Sequence, residues 1–253
     1  MIINGNCWVA YFDFLGFKKL IQDFIKLNGE GNLDVFYLCY YADIVRIAKI
    51  VVSEVEKTMK VSGKIGFSYF SDTFIFFAPE DKPGSYDFYL SIDMILRHFF
   101  VKSLFEGFFF RGALSFGDFY ANIKEEAFLG PALVDAYEYA DKQDWFGVVL
   151  TPKVVERLKG TNLDVDRRAD YAKYNVPIKI KTVDEQNGTL QIKQGAENLY
   201  SYRISKYDYV EEMIIQKQTE AKTHNPDKYE VIYKPKYEAV LKFIRETKLQ
   251  TII

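Results

Sequence analysis

Apolar stretches alternate with polar breaks along the first 152 residues, and their periodicity predicts nine elements. Continuous apolar and aromatic runs predict buried strands, and apolar positions three and four residues apart predict helices. The predictions are a strand over 7–14, a helix from 17 to the glycines at 29 and 31, a helix over about 33–57, two paired strands within 64–79, a helix over 86–104, a strand over 108–120, a helix over 131–139 and a strand over 147–152. This order is typical of an α+β sandwich with helices on one face of a mixed sheet.

The pattern is weaker after residue 160. VPIKIKTV (176–183) and TLQIKQ (189–194) alternate around Asn187-Gly188, which favours a β-hairpin, and LYSYRIS (199–205) predicts one more strand. The remaining residues are charged and helical in pattern. We therefore predict a core over residues 1–205 and a helical extension over 206–253 that is peripheral or supports a dimer.

Composition narrows the classes of function. The 253 residues are enough for one full-sized domain with a buried core, and 49% hydrophobic content argues against disorder. Thirty-three basic residues nearly balance 35 acidic ones, so the chain lacks the basic excess of a typical nucleic-acid-binding protein. No nucleic-acid partner is expected.

The cysteines and the apolar runs bear on the compartment. Cys7 and Cys39 both lie in apolar stretches and are interpreted as buried, reduced thiols, because secreted disulfide-linked folds need denser pairing. The start of the chain has no basic leader or cleavage site, and no apolar run reaches the ~20 residues of a membrane span. These features predict a cytoplasmic protein with no membrane partner.

Two carboxylates interrupt the apolar strands, each at a strand end. Asp13 follows a buried strand and precedes a helix, so its carboxylate suits a hard cation close to a helix N-terminus. The free N–H groups near Leu15 to Phe17 and the positive end of the helix favour an anion. Asp72, at the neighbouring strand junction, would complete a site for two divalent ions and a phosphate. Taken singly, each acid is as typical of a turn or a helix cap.

Four segments, covering roughly residues 7–152, resemble motifs of the class III nucleotidyl cyclases in the family's order. FDFLGF resembles the motif whose Asp binds both metals and whose next residue lends a backbone carbonyl, here Asp13 and Phe14. SDT resembles the second metal motif, with Ser71 in place of the usual Gly and Asp72 retained.

The other two segments are RGALSFGDFY and GPALVDAYEYAD, which are similar to the family's following strand and helix. The four segments, as they stand in this sequence, look closest to those of the pyrimidine cyclases of the bacterial Pycsar anti-phage system. The resemblance implies a ferredoxin-like cyclase core over 1–205 and a homodimer with composite active sites that holds two Mn²⁺ or Mg²⁺ ions per site. It also implies conversion of UTP or CTP to a 3',5'-cyclic monophosphate and pyrophosphate, with the product read by a separate effector.

The resemblance also implies the site residues. The catalytic candidates are Asp13, Asp72 and Arg111, and the metal ligands are Asp13, Phe14 and Asp72. The substrate-binding candidates are Phe14, Leu15, Gly16, Phe17 and Tyr69. Arg111 is alternatively a partner for a carboxylate, and Tyr69 is alternatively a core aromatic.

Several positions depart from the purine cyclases. Asp135 and Tyr139 stand where those enzymes carry an Asn and an Arg, so metals, another basic residue or the partner chain must neutralise charge at the α-phosphate. Ser68 and Phe128 stand where adenylate cyclases select the base with a Lys and an Asp, and neither reproduces that hydrogen-bond pattern. Lys179 resembles a late phosphate-binding lysine, although we interpret it as a solvated strand residue.

Three alternatives stay open at this stage. One is an adenylate or guanylate cyclase with an unusual pocket, and another is a degenerate cyclase-like domain that senses a nucleotide without turning it over. The third is a relative of diguanylate cyclases or polymerases, which the missing GG[DE]EF motif disfavours. The chain also lacks the GxxxxGK[ST], GxGxxG and GxSxG motifs of other nucleotide-binding and acyl-transfer proteins.

Overall fold

A computed structural model describes residues 1–83, 85–183, 190–204, 209–224 and 233–249. The strands are β1 Ile2–Phe14, β2 Gly66–Phe70, β3 Thr73–Pro79, β4 Phe110–Asn122, β5 Ala127–Leu129, β6 Gly147–Leu150, β7 Tyr171–Val183 and β8 Leu190–Tyr202. The helices are α1 Phe17–Asn28, α2 Leu33–Phe36, α3 Ala42–Met59, α4 Asp87–Phe105, α5 Pro131–Asp141, α6 Pro152–Leu158, α7 Val210–His224 and α8 Lys234–Leu249. A π-helical turn, Tyr37–Tyr41, joins α2 to α3.

These strands form one mixed sheet in the order β2-β3-β1-β4-β6-β8-β7, with β5 added at the end of β4. β4 and β6 run parallel, and the other pairs are antiparallel. β1 therefore lies inside the sheet, between β3 and β4, so both of its backbone edges are hydrogen-bonded to neighbouring strands. The predicted α+β fold with a mixed sheet covered by helices is confirmed.

Helices cover both faces of the sheet, whereas the sequence pattern predicted helices on one face. On one face, Trp8 contacts Tyr89 of α4 at 4.9 Å between ring centroids, and Phe12 contacts Phe99 at 5.0 Å. On the other face, Tyr11 meets Tyr137 of α5 at 5.6 Å. The physical reason is the continuous apolar run of β1, whose alternate side chains are buried on both sides and need cover on both.

Most predicted elements are present, with shifted ends. β1 begins at Ile2 rather than at residue 7, and the predicted helix over 33–57 is divided by the π-helical turn. β5 and α6 were not predicted. The strands predicted over 189–194 and 199–205 form one strand, β8, because pairing with β7 continues through Gly195. The predicted turn at Asn187-Gly188 lies outside the described residues.

The two C-terminal helices pack into the main apolar core. Phe243 of α8 contacts the rings of Trp145 and Tyr174 at 5.1 and 4.9 Å, and Tyr237 contacts Phe109 and Phe146 at 5.6 Å each. The predicted boundary at 205 falls among residues that the structure does not describe. Along the described chain, no helix is both long and apolar enough to cross a membrane.

The two cysteines differ in their surroundings. Cys7 is fully buried in β1, as predicted, but Cys39 is exposed in the π-helical turn, so its predicted burial is wrong. The apolar residues around Cys39 in the sequence misled the prediction because Tyr37 and Leu38 are themselves exposed on this short segment.

Candidate active site at the end of the central strands

Asp13 lies near the end of β1, where the backbone pairs it with Thr73 on one side and Arg111 on the other. Directly paired residues in a sheet project to the same face, so these three side chains share the face covered by α5. Arg111 donates from Nε to Oδ2 of Asp13 at 2.6 Å, and both side chains are largely buried. One carboxylate oxygen of Asp13 is thereby engaged, and the other is left for a further ligand.

Asp72 occupies a two-residue turn between β2 and β3. Its carbonyl accepts a hydrogen bond from the N–H of Phe14 at 2.8 Å, which ties the turn to the end of β1. The Tyr11 hydroxyl bonds Thr73 Oγ1 at 3.1 Å. Burial raises the pKa of Tyr11, and the negative charges of Asp13 and Asp72 raise it further. The pairing of Asp13 with Thr73 and the hydrogen bond from Phe14 to Asp72 bring the two predicted acids to the same end of the sheet.

The chain turns sharply between β1 and α1. Leu15 donates its N–H to the carbonyl of Phe109 at 2.9 Å, and Gly16 adopts a left-handed conformation with φ 84°. Glycine adopts this conformation without the strain that a Cβ would introduce. Because Gly16 is the N-cap and has no side chain, it offers no side-chain cap to the first-turn N–H groups of α1, which begins at Phe17. The predicted anion cradle therefore lacks a free N–H at Leu15, and its uncapped donors are those of the first turn of α1, at the positive end of the helix dipole.

The donor set at this point suits hard divalent cations. Asp13 and Asp72 supply carboxylate oxygens, and the N–H bond from Phe14 to Asp72 turns the adjacent Phe14 carbonyl toward the same neighbouring strand. Mg²⁺ and Mn²⁺ are commonly held by one or two carboxylates, with substrate phosphates and water completing their coordination. Among the described residues no cluster of three or more His, Cys, Asp or Glu side chains forms a metal site. The residues present therefore fit an ion shared with a phosphate substrate.

Arg111 links Asp13 to the end of α5. Its Nη2 donates to Oδ1 of Asp141 at 3.0 Å, and its Nη1 donates to the carbonyls of Asp141 and Gln143 at 2.6 and 3.3 Å. The prediction that Arg111 pairs with a carboxylate is confirmed. A role of the same guanidinium toward a phosphate stays a prediction.

Two lysines of β7 face the same cluster. Lys181 donates to Oδ2 of Asp141, and the Lys179 ammonium lies 3.8 Å from Asp141 Oδ1. Lys179 was interpreted as solvated, but its side chain is only 19% exposed. Burial, and then the positive charge of Arg111, lower the pKa of Lys179 to about 8. The pattern of VPIKIKTV placed Lys179 on a strand but did not show that α8 covers that strand.

A cavity of about 670 Å³ opens beside the turn from β1 to α1. Its walls come from Phe14–Gly16, from α1, from the segment 106–109 and from helices α7 and α8. The lining includes three lysines, Lys19, Lys217 and Lys236. The C-terminal helices therefore close one side of the space next to the predicted anion cradle.

The other predicted positions separate into two groups. Tyr69 stacks on Phe74 at 5.9 Å and contacts Tyr41 at 6.0 Å, on the sheet face opposite Asp13. Alternation along β2 turns Tyr69 away from that face, so the structure does not bring this predicted substrate-binding residue to Asp13. Ser68 pairs with Ile75 and lies on the Asp13 face.

Three further positions lie away from Asp13 or are occupied by other contacts. Phe128 belongs to β5 and pairs with Ala121 at the other end of β4. Asp135 accepts a hydrogen bond from Ser115 at 2.6 Å, and the Tyr139 ring lies 3.3 Å from the Lys142 ammonium. Neither residue of α5 supplies a positive charge.

Sequence reasoning missed Asp141 and Lys236. Asp141 ends the segment GPALVDAYEYAD, and its position beside Arg111 depends on pairing of β4 with β6. Although burial raises the pKa of Asp141, the hydrogen bond from Lys181 and the charge of Arg111 lower it overall. Asp141 therefore stays ionised within a basic cluster. No local signal marked Lys236, because its helix is remote in sequence.

Comparison with known proteins gives fold-level likeness only. No protein-family model matches the chain, and no curated protein matches it. The adenylyl cyclase CyaB from P. aeruginosa aligns at 11% identity and TM-score 0.43, covering 80% of this chain and 95% of that one. The adenylate/guanylate cyclase/hydrolase from Silicibacter pomeroyi aligns at 11% identity and TM-score 0.42, covering 80% and 98%.

A third similar structure is the guanylate cyclase domain of RhGC from Catenaria anguillulae in complex with GTP, at 10% identity and TM-score 0.39. The alignment covers 77% of this chain and 97% of that domain.

Proposed function

We propose that this protein is a nucleotidyl cyclase that converts a nucleoside triphosphate to a 3',5'-cyclic monophosphate and pyrophosphate. The observation that carries the proposal is the juxtaposition of Asp13 and Asp72 beside the glycine-capped N-terminus of α1. Two carboxylates and a set of uncapped N–H donors form a site with separate places for cations and for phosphate oxygens. The motif resemblance over residues 7–152 supports the same assignment.

The residues divide the chemistry among them. Asp13, Asp72 and the Phe14 carbonyl would hold the divalent ions, which supply charge neutralisation and acidify the ribose hydroxyl. The N–H groups of the first turn of α1, which begins at Phe17, would orient the β- and γ-phosphates. The 3'-oxygen then forms a bond to the α-phosphorus as the bond to the bridging oxygen breaks, pyrophosphate leaves and the hydroxyl proton passes to water. Charge on the leaving group would be offset by Arg111 and the nearby lysines.

A pyrimidine nucleotide, UTP or CTP, is the proposed substrate. Ser68 is a polar side chain of β2 that faces the Asp13 side of the sheet, and its hydroxyl can donate or accept one hydrogen bond. The chain lacks the Lys and Asp pair with which adenylate cyclases select their base. By the resemblance, the cyclic product would act as a messenger in anti-phage defence and would be read by a separate effector.

A homodimer is proposed for the active form. Apolar side chains lie exposed on the face that carries Asp13, among them Phe70, which is 83% exposed, and Val134 and Tyr137 of α5. A second copy of the chain would cover this surface and bring its own Ser68 and Phe128 toward the first copy's acids. Such composite sites account for the distance between Phe128 and Asp13 within one chain.

A degenerate nucleotide-binding domain is the second candidate, because Arg111 already occupies one oxygen of Asp13 and because α5 lacks an arginine at position 139. Incubating the protein with each of the four NTPs and Mn²⁺, followed by mass spectrometry, separates the candidates. A cyclic pyrimidine product supports the proposal. A cyclic purine product would show that the protein is a cyclase with a purine substrate. A higher melting temperature in the presence of a nucleotide, without any cyclic product, supports the degenerate domain.

The first prediction tests the two acids. Asp13→Asn and Asp72→Asn should each lower turnover by roughly a hundredfold or more, because each removes a negative ligand from a site where metal charge dominates catalysis. Asp118→Asn is the matched control, since Asp118 is exposed on β4 near the opposite end of the strand pair that holds Asp13. Turnover retained in Asp72→Asn, with the fold intact by circular dichroism, would overturn the assignment.

A further inference from the structure

Lys236 reaches the candidate active site from the C-terminal helix α8. It lies in the first turn of α8 and lines the same cavity as Phe14, Leu15 and Gly16. Its side chain is 25% exposed, so most of it is covered by the surrounding protein. The C-terminal helix therefore contributes a cation to the wall that faces the predicted phosphate cradle.

The ammonium of Lys236 lies among side chains of both charges. It forms an ion pair with Asp144, at 3.6 Å from Nζ to Oδ1. Burial lowers the pKa of Lys236, and Asp144, Arg111 and Asp13 all act on it electrostatically. Phe14, the residue after Asp13, lines the same cavity as Lys236, so the end of β1 and the first turn of α8 border one space.

The other two lysines of the cavity wall have closer partners on their own helices. Lys19 is bonded to Asp23 of α1, and Lys217 lies 3.0 Å from Glu220 of α7. The separation from Lys236 to Asp144 is longer, and the two residues belong to different elements. A phosphate oxygen in the cavity would compete most readily for Lys236.

We propose that Lys236 binds the β- or γ-phosphate of the nucleoside triphosphate and so positions the substrate above Asp13. This inference rests on the proposed function for the identity of the nucleotide, but its phosphate chemistry can be tested without turnover. It gives the C-terminal helices a role in the site and supplies a positive charge that α5 lacks. A lysine suits this role because its compact ammonium contacts a phosphate as a point charge.

Binding of inorganic tripolyphosphate to the full chain, with and without Mn²⁺, tests the inference by calorimetry. Lys236→Met should weaken the affinity roughly ten- to a hundredfold, the range expected for loss of one charged hydrogen bond. Lys236→Arg should retain most of it. Lys242→Met is the matched control on the same helix, because Lys242 is 68% exposed and forms an ion pair along the helix with Glu246. Affinity of Lys236→Met within twofold of the unmodified chain would overturn the inference.

Asp144→Asn separates phosphate binding from a purely structural ion pair. If Lys236 binds phosphate, removing its carboxylate partner should tighten tripolyphosphate binding, whereas a structural pair would leave the affinity unchanged or weaken it. Tripolyphosphate binding that depends on Lys236 in a chain that makes no cyclic product would uphold this inference while defeating the proposed function. In an active enzyme, Lys236→Met should raise KM for the triphosphate more than it lowers kcat.

Discussion

Arg111 joins three separate parts of the chain through its five donor positions. It contacts Asp13 on β1 and Asp141 at the end of α5, and it reaches the carbonyl of Gln143 in the following segment. Its side chain is only 12% exposed, so the ion pairs are poorly screened by water. A guanidinium in this position both organises the site and limits the negative charge available to a metal.

Arg111→Met should therefore destabilise the fold by about 3 kcal/mol, because it leaves two partly buried carboxylates without their shared cation. The measurement is urea unfolding followed by fluorescence of Trp8 and Trp145. Asp13→Asn is the partner for a double-mutant cycle, and the double variant should lose at least about 1 kcal/mol less than the sum of the single variants. Strict additivity would show that the pairing of Arg111 with Asp13 contributes nothing to stability.

At the scale of elements, the turn between β2 and β3 carries local strain. Ser71 has φ 54°, in the left-handed region that residues with a Cβ adopt at a cost. The class III cyclase motif that this turn resembles has glycine at this position, and glycine would adopt the same conformation without the strain. Ser71 therefore holds Asp72 in place in a backbone conformation that lowers the folding stability of the protein.

Ser71→Gly should relieve that strain and stabilise the protein by about 0.5–1 kcal/mol, seen as a higher midpoint of thermal unfolding. Ser71→Ala is the matched control, because alanine removes the hydroxyl but retains the Cβ. An equal gain from both substitutions would mean that the hydroxyl, and not the backbone conformation, is the source of the strain.

Elements with strong local patterns were predictable from the sequence, and those fixed by distant contacts were not. The apolar run of β1 and the acids at its end could be predicted because burial and interruption are visible within a few residues. The position of α5 on the second face could not, since it depends on where Ala132 and Ala136 find an apolar surface. Lys236 lay beyond prediction for the same reason, because its helix comes beside the turn from β1 to α1 only in the folded chain.

At the scale of the molecule, the near-neutral net charge conceals a concentrated layer of charges at one end of the sheet. Lys179 lies inside this layer with its pKa lowered to about 8 by burial and by the charge of Arg111. The folded chain therefore releases this proton at a lower pH than the unfolded chain. Between pH 8 and the ordinary lysine value of 10.5, stability from this group rises with pH.

Lys179→Met should accordingly stabilise the protein at pH 7, by at most about 3 kcal/mol, because the buried charge is removed. The advantage should shrink as the pH rises from 8 toward 10.5, where the lysine of the unmodified chain is neutral in the folded state and loses its proton in the unfolded state. Urea unfolding of both proteins at pH 7 and pH 10 measures the difference. A pH-independent difference would contradict the lowered pKa.

The central position of β1 has a consequence for how the chain folds. Asp13 and Arg111 are 98 residues apart in sequence, and the β1 strand pairs with both β3 and β4. Contacts of such wide sequence separation close large loops, and folds dominated by them reach the native state on the millisecond-to-second scale. We expect the acids to come together in the same slow step that completes the sheet, so a partly folded chain has no competent site to expose.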